Sequence, residues 1–519
     1  MGISERAGQG LRFIRRWQAA GWAEAKRRIR EEREDGRIRQ ELRRPDFLTA
    51  EERGAQERDS FPPEIRFTVF FPEGKEPEKE TLRSLEAQTF RRWETGKDPA
   101  AIPEAGYALF LEADGRLHPG ALYETAKEIR DRGADLVYTD EDWYIHEPKD
   151  LFRPRFKADY GPDSLRGCNE IGPYIACRGD LLKAAGAEDY AGLDGDGRWD
   201  AVIRMAEKAK AVRHIPKILY YRKAASAEAV PAPAVRRIRP EIKGEPLVSI
   251  LIPNKDHRED LRRCVDSIRE KSSWQQYEIL ILENNSTEKE TFAYYEELKK
   301  DPRIRVIPRE GAFNYAAVNN LGAREAKGEY LLLLNNDTEV ISPEWIQEML
   351  TYAQREDTGA AGAKLLYPDG TVQHGGIGIG INIAAGHYHR GMPDGDGYWG
   401  RLRYAQDVSA VTGACMMVPK RVYERMGGMD ESFPIVFNDI DLCLRMRKAG
   451  LKIVWTPWAV LTHYESKSRG PDEATKEKKE FFVKETNRFL RKWHKALEEG
   501  DPYYNPNLTR IGEDFSPRG

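Results

Sequence analysis

A run of four leucines at 331–334, followed at once by polar residues, is the most informative pattern in the chain. A short continuous apolar run bounded by polar residues is typical of a strand that is buried on both faces. In an open parallel sheet, ligands bind just beyond the carboxyl ends of the strands. The pattern therefore predicts a ligand site at Asn335, Asn336 and Asp337, although these residue types also favour simple turns.

Further apolar runs at 247–252, 277–282 and 303–307 alternate with segments of helical spacing, such as the one that carries Leu261, Val265 and Ile268. This alternation predicts an α/β domain with a mainly parallel sheet. Neither a GxGxxG loop nor a GxxxxGKS loop is present, which argues against a dinucleotide oxidoreductase and a P-loop ATPase. The glycine-rich run at 375–380 has neither spacing and is predicted to be a flexible loop.

Composition divides the chain into five segments, because a charged N-terminal stretch and a proline-rich linker flank regions of alternating apolar pattern. The segments are a charged helical segment at 1–60, a first α/β region at 61–228, a linker at 229–246, a second α/β region at 247–470 and a C-terminal helix and tail at 471–519. Residues 1–45 interleave basic and aromatic residues. They suit either a solvated helix or a basic amphipathic helix that contacts anionic lipid.

The chain of 519 residues is 33% charged and has a mean hydropathy of -0.69. No apolar run approaches the roughly 20 residues that a membrane-spanning helix needs. The five cysteines are scattered without zinc-ligand or CxxC spacing, which suits reduced thiols. With a net charge of only -3, no attraction to nucleic acid is expected. We therefore expect a cytoplasmic protein, with peripheral contact at the inner face of the plasma membrane through residues 1–45.

Two later positions bear candidate chemistry. Asp439 lies at the start of a predicted helix, where it is either a first-turn acid worth on the order of 1 kcal/mol or a general base. Asp441, two positions on, points to another face, so one carboxylate is expected to be catalytic and the other structural. His463 is either a surface imidazole or a ligand to the same metal as Asp337. Such a ligand set, completed by diphosphate oxygens, suits Mn²⁺ or Mg²⁺ better than zinc.

These motifs together resemble the bacterial family-two glycosyltransferases of the GT-A fold, and most nearly the subgroup that builds rhamnose-containing and other surface polysaccharides. The resemblance covers nearly all of residues 247–470 in the family's order, and any one motif alone would be weak. The matching pieces are residues 248–256, 279–286, 313–320, 334–337, 413–415, 438–439 and His463.

The resemblance implies a role for each matching position. Asp337 and His463 would hold the metal, and Asp439 would be the catalytic base. Asn335 stands where the family's Asp-x-Asp motif has its first acid, and Asn438 stands where its Glu-Asp pair has Glu, so weaker metal binding is expected. The nucleotide-sugar side would comprise Pro253, Asn254, Asp256, Glu283, Asn285, Asn319, Asn335 and Asn336, and the acceptor side Gly413, Ala414, Cys415 and Asn438.

The implied activity is inverting, metal-dependent transfer of a sugar from a nucleoside-diphosphate sugar, such as dTDP-rhamnose or a UDP-sugar, to a hydroxyl of a growing or lipid-linked cell-surface polysaccharide. One displacement with one base predicts inversion. Two alternatives stay open. A nucleotidyltransferase would usually carry a basic glycine-rich loop, which residues 252–255 lack. A sugar-nucleotide-binding scaffold protein would have no need of Asp337, Asp439 and His463.

Residues 66–223 read as a degenerate, truncated copy of the same fold. Residues 67–72 parallel residues 248–253, and residues 109–114 parallel residues 332–337. About half of the nucleotide-binding segment is missing, including the counterpart of Glu283. Arg198 falls where the family has its catalytic acid, and an arginine cannot act as a base at neutral pH. This region is therefore expected to be non-catalytic. The alternative is an independent activity that uses Glu112, Asp114, Asp140, Glu141 and Asp142.

Overall fold

The structure, a computed structural model, describes residues 48–146, 153–465 and 476–518. The chain divides into two compact units. Among the described residues, the first unit comprises 48–236, 502–508 and 517–518, and the second comprises 237–501 and 509–516. Residues 1–45, for which membrane contact is predicted, lie outside the described residues. The end of the charged segment forms helix α1 (Ala50–Arg58), which starts with a capping box between Thr49 and Glu52.

The first unit is an α/β domain. Its further helices are α2 (Lys79–Glu86), α3 (Ala121–Arg132), α4 (Pro162–Gly167), α5 (Gly179–Ala184) and α6 (Gly195–Lys208). Its strands are β1 (Phe67–Phe70), β2 (Trp93–Thr95), β3 (Tyr107–Phe110), β4 (Arg116–Leu117), β5 (Leu136–Tyr144), β6 (Ile175–Arg178) and β7 (Val212–Lys223). They form one sheet in the order β2-β1-β3-β6-β5-β7-β4.

The second unit is built in the same way around a larger sheet. Its strands are β8 (Val248–Asn254), β9 (Tyr277–Glu283), β10 (Ile304–Pro308), β11 (Tyr330–Leu334), β12 (Thr338–Val340), β13 (Thr358–Leu366), β14 (Val372–His374), β15 (Ile377–Ile379), β16 (Ala385–His387), β17 (Gln406–Asp407), β18 (Cys415–Pro419) and β19 (Lys452–His463). Its helices are α7 (Arg258–Lys271), α8 (Lys289–Leu298), α9 (Tyr315–Glu325), α10 (Trp345–Ala353), α11 (Lys420–Arg425), α12 (Asn438–Lys448), α13 (Lys476–Lys492) and α14 (His494–Glu499).

The α/β class is as predicted. The sheet of the second unit is mainly parallel but mixed, because six of its ten described strands run in one direction (β8, β9, β10, β11, β13 and β19) and four run in the other (β12, β14, β17 and β18). Its order is β10-β9-β8-β11-β18-β13-β19-β12. Strands β10, β9, β8 and β11 are parallel, whereas β18 runs antiparallel to both β11 and β13. An apolar run predicts that a strand exists, but it carries no information about the direction in which the strand enters the sheet.

The apolar face of α7 shows how the sheet is covered. Leu261, Val265 and Ile268 are spaced at helical intervals, and all three are fully buried in the core cluster that includes the inward residues of β8 and β9. Burial of such a side chain contributes about 1.5–3 kcal/mol. The helices therefore hold the strands in place, and the loops at the carboxyl ends of β8, β9 and β11 are left to form a site.

The two sheets share a strand order. The first unit reads β2-β1-β3-β6-β5-β7-β4, and the second reads β9-β8-β11-β18-β13-β19-β12 with β10 added at one edge. The registers also agree, because Phe67 lies opposite Tyr107 as Val248 lies opposite Tyr330. Counting forward from these pairs places Asp114 at the position of Asp337.

The structure also bears on the glycine-rich run, the cysteines and the question of a membrane-spanning helix. The glycine-rich run at 375–380 is not a flexible loop, because it contains β15, which pairs with β16 in a hairpin. All five cysteines are buried and free. Among the residues that the structure describes, no helix is both long enough and apolar enough to cross a membrane.

Candidate functional site

The carboxyl ends of three parallel strands bring the predicted site together. Strand β8 ends at Asn254, β9 ends at Glu283, and β11 ends one residue before Asn335. Leu331–Leu334 are fully buried, whereas the residues that follow leave the sheet. Because β9, β8 and β11 are neighbours and parallel, their end residues meet at one edge. The structure therefore gathers here most of the positions that the sequence singled out.

Asp337 and His463 form the core of the site. Thr338 lies opposite His463 in the antiparallel pair β12–β19, which brings His463 beside Asp337. The Asp337 Oδ1 atom is 3.1 Å from His463 Nε2, and Asn335 Nδ2 is 3.2 Å from the same nitrogen. Burial alone would raise the pKa of Asp337, but the contact with His463 outweighs it and lowers that pKa. Asp337 is therefore a charged carboxylate at neutral pH.

The sequence did not single out the side chains that orient His463. Gln373 Nε2 is 2.8 Å from His463 Nδ1, and it also donates to Glu465 Oε2 at 3.1 Å. Arg390 lies 3.4 Å from the same carboxylate of Glu465. The imidazole is thus held at Nδ1, on the side opposite to Asp337. Gln373 gave no signal in the sequence, because β14 is too short to show a pattern.

On the nucleotide side, Asn254 connects β8 to the Asn335–Asp337 turn. Asn336 Nδ2 donates to Asn254 Oδ1 at 2.6 Å, and Asn254 Nδ2 donates to the Tyr295 hydroxyl at 2.8 Å. Pro253 is a buried residue of the same strand. Asp256 accepts backbone N–H groups from Thr287 and Glu288 at 2.7 and 2.9 Å. Burial would raise the pKa of Asp256, but these N–H groups lower it.

The carboxylate of Glu283 is used inside the protein. It accepts hydrogen bonds from the backbone N–H and the hydroxyl of Ser286, both at 2.6 Å, and from the Tyr295 hydroxyl at 2.5 Å. Asn285, in a left-handed conformation, donates to the Gly311 carbonyl at 2.5 Å. These contacts shape the loops around the pocket that is predicted to receive the base.

One nucleotide-side residue takes a different role from the predicted one. Asn319 is fully buried, and its Nδ2 donates to the Tyr315 carbonyl at 2.9 Å within α9. Its Oδ1 is buried without a hydrogen-bond partner. A side chain without exposed surface cannot contact a nucleotide in this conformation, so Asn319 supports the wall of the site.

Asp439 lies in the first turn of α12, directly after Phe437 in the left-handed conformation and Asn438. Its Oδ2 accepts the backbone N–H of Gly413 at 2.8 Å, and its Oδ1 accepts that of Ile440 at 2.8 Å. Burial nevertheless prevails over these N–H groups and raises the pKa of Asp439 above the usual range for aspartate. A carboxylate with a raised pKa is a better proton acceptor.

Gly413 lies against the Asp439 side chain. A Cβ atom added there would lie 3.1 Å from the Tyr315 hydroxyl and 3.5 Å from Asp439 Cβ. That hydroxyl also donates to the Gly413 carbonyl at 2.8 Å. Next along the chain, the Ala414 carbonyl accepts the backbone N–H of Asn335 at 3.0 Å. The segment 413–414 therefore joins the Asp439 side of the site to the Asp337 side.

Asp441 has a different environment from Asp439. It is fully buried, and its oxygens accept from Arg445 Nε at 2.8 Å and from Trp493 Nε1 at 2.9 Å. Lys492 Nζ lies 2.6 Å from Asp441 Oδ1. This carboxylate is fully occupied by partners within the protein, so it attaches α13 to α12.

Two residues predicted for the acceptor side point away from it. Cys415 is fully buried in the core cluster of the second unit. Asn438 is 3% exposed, and its Nδ2 donates to the carbonyls of Phe433 and Ile435. Both are therefore structural residues, because strand and helix geometry turn their side chains inward. Ala414 is buried in the same core cluster, and Gly413 is the predicted acceptor residue that contacts Asp439.

The donor set fits a divalent cation that takes part of its coordination from a ligand. The Asp337 carboxylate and the Asn335 amide lie 3.1 and 3.2 Å from His463 Nε2, so the three side chains meet at this nitrogen. Among the residues that the structure describes, no group of three or more His, Cys, Asp or Glu side chains could hold a metal ion alone. Mg²⁺ is commonly bound through one or two carboxylates plus substrate phosphates, which is the arrangement that these residues allow.

The corresponding edge of the first unit carries different chemistry. Arg198 Nη1 lies 3.2 Å from Glu112 Oε1, and Glu112 corresponds in register to Asn335. Tyr221 lies opposite Arg116 as Thr462 lies opposite Glu339, so Arg222 takes the place of His463. Tyr220 fills the space at Gly115, where an added Cβ would lie 1.8 Å from its hydroxyl.

Comparison with known proteins gives a family match for part of the chain. Residues 249–427 match the model of glycosyl transferase family 2. The chain is 36% identical over 460 residues to "Uncharacterized protein y4gI" of Sinorhizobium fredii, covering 80% of this chain and 50% of that protein. It is 35% identical over 468 residues to "O-antigen biosynthesis protein RfbC" of Myxococcus xanthus, covering 81% of this chain and 36% of that protein. The chain thus spans half or less of the length of these two relatives.

Two further matches have lower sequence identity and cover less of the chain. The "N-acetylglucosaminyl-diphospho-decaprenol L-rhamnosyltransferase" of Mycobacterium tuberculosis is 27% identical over 221 residues, covering 38% of this chain and 69% of that protein. A solved mannosyltransferase from Pyrobaculum calidifontis, in complex with GDP-Man and Mn²⁺, is 14% identical with a TM-score of 0.37, covering 52% of this chain and 70% of that one. The latter likeness is too weak to support an argument.

The match to the family model covers the strands that form the site, from β8 to β18, and the mixed α/β sheet has the GT-A arrangement that the resemblance implied. Asp337 lies inside the matched residues, whereas Asp439 and His463 follow them in the same unit. The second unit therefore carries a glycosyltransferase family 2 domain over residues 249–427.

Proposed function

We propose that the second unit transfers a sugar from a nucleoside-diphosphate sugar to a hydroxyl group of a growing or lipid-linked cell-surface glycan. The observation that carries the proposal is the placement of Asp337 and His463 on one side of segment 413–414 and of Asp439 on the other. A glycosyl transfer needs both functions in one site, because a leaving diphosphate must be held while an acceptor hydroxyl loses a proton.

Asp439 is the proposed general base. The acceptor oxygen forms a bond to the anomeric carbon, and the bond from that carbon to the diphosphate oxygen breaks with its electron pair on the nucleoside diphosphate. The hydroxyl proton passes to Asp439, whose raised pKa suits this role. The backbone N–H groups of Gly413 and Ile440 keep the carboxylate oriented. A single displacement inverts the configuration at the anomeric carbon.

Asp337, His463 and Asn335 are the residues that would hold Mn²⁺ or Mg²⁺. When bound, such a cation neutralises charge on the leaving diphosphate. Gln373 and Glu465 keep His463 directed towards Asp337. With one carboxylate in the donor set, the affinity for the free cation is expected to be modest, and binding of the donor should increase it.

The donor is proposed to be dTDP-rhamnose or a UDP-sugar. The names of two relatives refer to O-antigen biosynthesis and to transfer of L-rhamnose to a lipid-linked glycan, and this supports a surface-glycan acceptor. Pro253, Asn254, Asp256, Glu283 and Asn285 would surround the nucleotide at the ends of β8 and β9.

The first unit is proposed to be a degenerate, non-catalytic copy of the second. The shared strand order and register support common descent. At the corresponding edge, Arg198 is paired with Glu112, and Arg222 replaces His463. These fixed positive charges would repel a divalent cation, and neither arginine can act as a base.

The experiment is a screen of UDP- and dTDP-sugars for release of nucleoside diphosphate, with Mn²⁺ or Mg²⁺ and with lipid-linked or free glycan acceptors. One donor is expected to turn over, with transfer to the acceptor seen by mass spectrometry and inversion seen by NMR of the product. A retained anomeric configuration would refute the single displacement. Turnover of a nucleoside triphosphate with a sugar phosphate would favour the nucleotidyltransferase, and binding of a donor without turnover would favour a scaffold protein.

A further inference from the structure

The C-terminal tail segment, Thr509–Ser516, binds the loop that follows β15. Glu513 Oε1 accepts hydrogen bonds from Asn382 Nδ2 at 3.0 Å and from the His387 backbone N–H at 3.1 Å. The Glu513 carbonyl accepts the backbone N–H of His389 at 2.6 Å. The Arg510 carbonyl accepts the backbone N–H of Asn382 at 2.6 Å. Glu513 therefore contacts the chain both before and after the short strand β16.

Aromatic packing adds to these hydrogen bonds. The Phe515 ring stacks on His389 at 4.5 Å and on Tyr398 at 5.3 Å, and it meets the edge of Tyr388 at 5.1 Å. Phe515 is only 2% exposed and has a φ of 58°, in the left-handed region. A phenylalanine keeps such a backbone conformation only where its surroundings fix it. The tail is thus an integral part of the second unit.

The loop held by the tail reaches the proposed base through histidines. His387 Nδ1 is 3.0 Å from His374 Nδ1, so one of the two nitrogens donates to the other. His374 Nε2 lies 3.5 Å from the backbone N of Thr412. Thr412 precedes Gly413, whose N–H donates to Asp439. A displacement of His387 would therefore be transmitted to the segment that orients Asp439.

The same loop reaches the proposed metal ligand by a second route. Arg390 follows His389 in the chain and lies 3.4 Å from Glu465 Oε2, and its Nε donates to the Tyr367 hydroxyl at 2.8 Å. Glu465 accepts from Gln373, which contacts His463 Nδ1. The two routes leave the loop at positions 387 and 390, and both positions adjoin the residues that Glu513 and Phe515 hold.

We propose that Glu513 and Phe515 are positioning residues, which hold the β15–β16 hairpin so that Asp439 and His463 keep their relative placement. The inference deepens the proposed function and rests on it for its effect on activity. The contacts themselves do not depend on that function. Loss of either tail side chain is expected to free the hairpin while leaving the nucleotide side as it is.

The first test is hydrogen exchange of the full chain, compared among wild type, Glu513→Ala, Phe515→Ala and Glu513→Gln. Both alanine variants should exchange the amides of His387 and His389 roughly tenfold faster or more, because about 1.4 kcal/mol of lost local stability corresponds to a factor of ten. Glu513→Gln keeps an acceptor oxygen and should stay within about threefold of wild type. Lys495→Ala, at a side chain that is 81% exposed, is the matched control.

The second test separates positioning from general folding. In the alanine variants, the affinity for the nucleoside diphosphate of the active donor should change by less than about twofold, while the kcat of transfer should fall by about tenfold or more. The conservative Glu513→Gln variant should restore most of the kcat. Peptides from β8 and β9 should keep their wild-type protection in every variant.

Unchanged protection at 387–389 in both alanine variants would overturn the inference. So would protection lost equally in β8 and β9, because the tail would then stabilise the whole unit rather than the hairpin. A wild-type chain that binds no nucleoside diphosphate would refute the proposed function instead, and the exchange result would then decide the structural role of the tail alone.

Discussion

At the scale of single residues, Asp439 and Asp441 show how the surroundings of two identical side chains give them different roles. Both belong to the first turn of α12. Asp439 accepts the backbone N–H groups of Gly413 and Ile440 and has a raised pKa. Asp441 is covered by Arg445, Lys492 and Trp493. The expectation that one carboxylate is catalytic and the other structural follows from their spacing, but only the structure identifies the partners of each.

Replacing Asp439 with Asn should lower the rate of glycosyl transfer by about 10²–10⁴-fold, because an amide cannot accept the acceptor proton. Binding of the nucleoside diphosphate should stay close to wild type. The exposed Asp369→Asn serves as the control. Steady-state kinetics with the active donor provide the measurement, and transfer by Asp439→Asn at the wild-type rate would remove Asp439 from the mechanism.

The pH profile of kcat/KM reports the same carboxylate. Because burial raises the pKa of Asp439, the activity should fall as the pH drops through that raised value and the base becomes protonated. The acid limb is therefore expected above the ordinary aspartate pKa of about 4. A limb at or below that value would show that another group carries the proton.

Asp441→Asn should instead reduce stability. The change removes the buried carboxylate charge that Arg445 and Lys492 share, while Lys492 keeps its contact with Asp430, at a cost of about 2–4 kcal/mol in the free energy of unfolding. Urea denaturation followed by circular dichroism measures it. A loss below about 0.5 kcal/mol would mean that α13 is held to α12 by apolar packing alone.

At the scale of elements, the apolar runs predicted where strands form but not the direction in which each strand enters the sheet. Strands β8, β9 and β11 follow directly from short buried runs, and the site follows from their shared carboxyl edge. The reversal of β18 and the hairpin β15–β16 had no such signal, since pairing depends on partners far along the chain. For the same reason Gln373 and Glu465, which orient His463, were visible only in three dimensions.

Strand β7 carries a histidine whose charge should stabilise the first unit. The His214 side chain is 1% exposed and contacts Asp140 at 2.8 Å and Asp159 at 3.2 Å. Burial would lower the pKa of His214, but the two carboxylates outweigh it and raise the pKa to about 9. Because the value in an unfolded chain is about 6.5, this stabilisation is fully present below pH 6.5 and disappears as the pH rises through 9.

The His214→Gln variant isolates this contribution. The difference in unfolding free energy between wild type and variant should shrink from pH 6 to pH 9.5, by at most on the order of 3 kcal/mol. Urea unfolding at several pH values measures it. A difference that is constant across this range would show that His214 is neutral in the folded protein.

At the scale of the whole molecule, two units share a strand order and differ in the chemistry at one edge. The sequence alone predicted the second unit from an ordered set of motifs. It predicted the first unit from incomplete counterparts of the same motifs. Structural register agrees with the pairing of Asp114 with Asp337 and adds that Arg222 corresponds to His463. Arg222 could not be aligned from sequence, because β7 and β19 share no recognisable motif.

Calorimetry should detect one nucleoside-diphosphate site per chain in the presence of Mn²⁺. The second unit offers Asp337 and His463, whereas arginines occupy the matching edge of the first unit. Glu112→Ala should leave the stoichiometry at one nucleoside diphosphate per chain, because Glu112 pairs with Arg198 and is not expected to bind a metal ion. Two sites of similar affinity would favour an independent activity in the first unit.

The most direct test of the proposed function compares Asp337→Ala with Asp114→Ala, since these residues occupy the same register position in the two sheets. Metal-dependent release of nucleoside diphosphate from the active donor is measured for both variants and for wild type. We expect Asp337→Ala to lose at least about 100-fold and Asp114→Ala to keep the wild-type rate. Equal release by Asp337→Ala and wild type, or a matching loss in Asp114→Ala, would contradict the assignment of catalysis to the second unit.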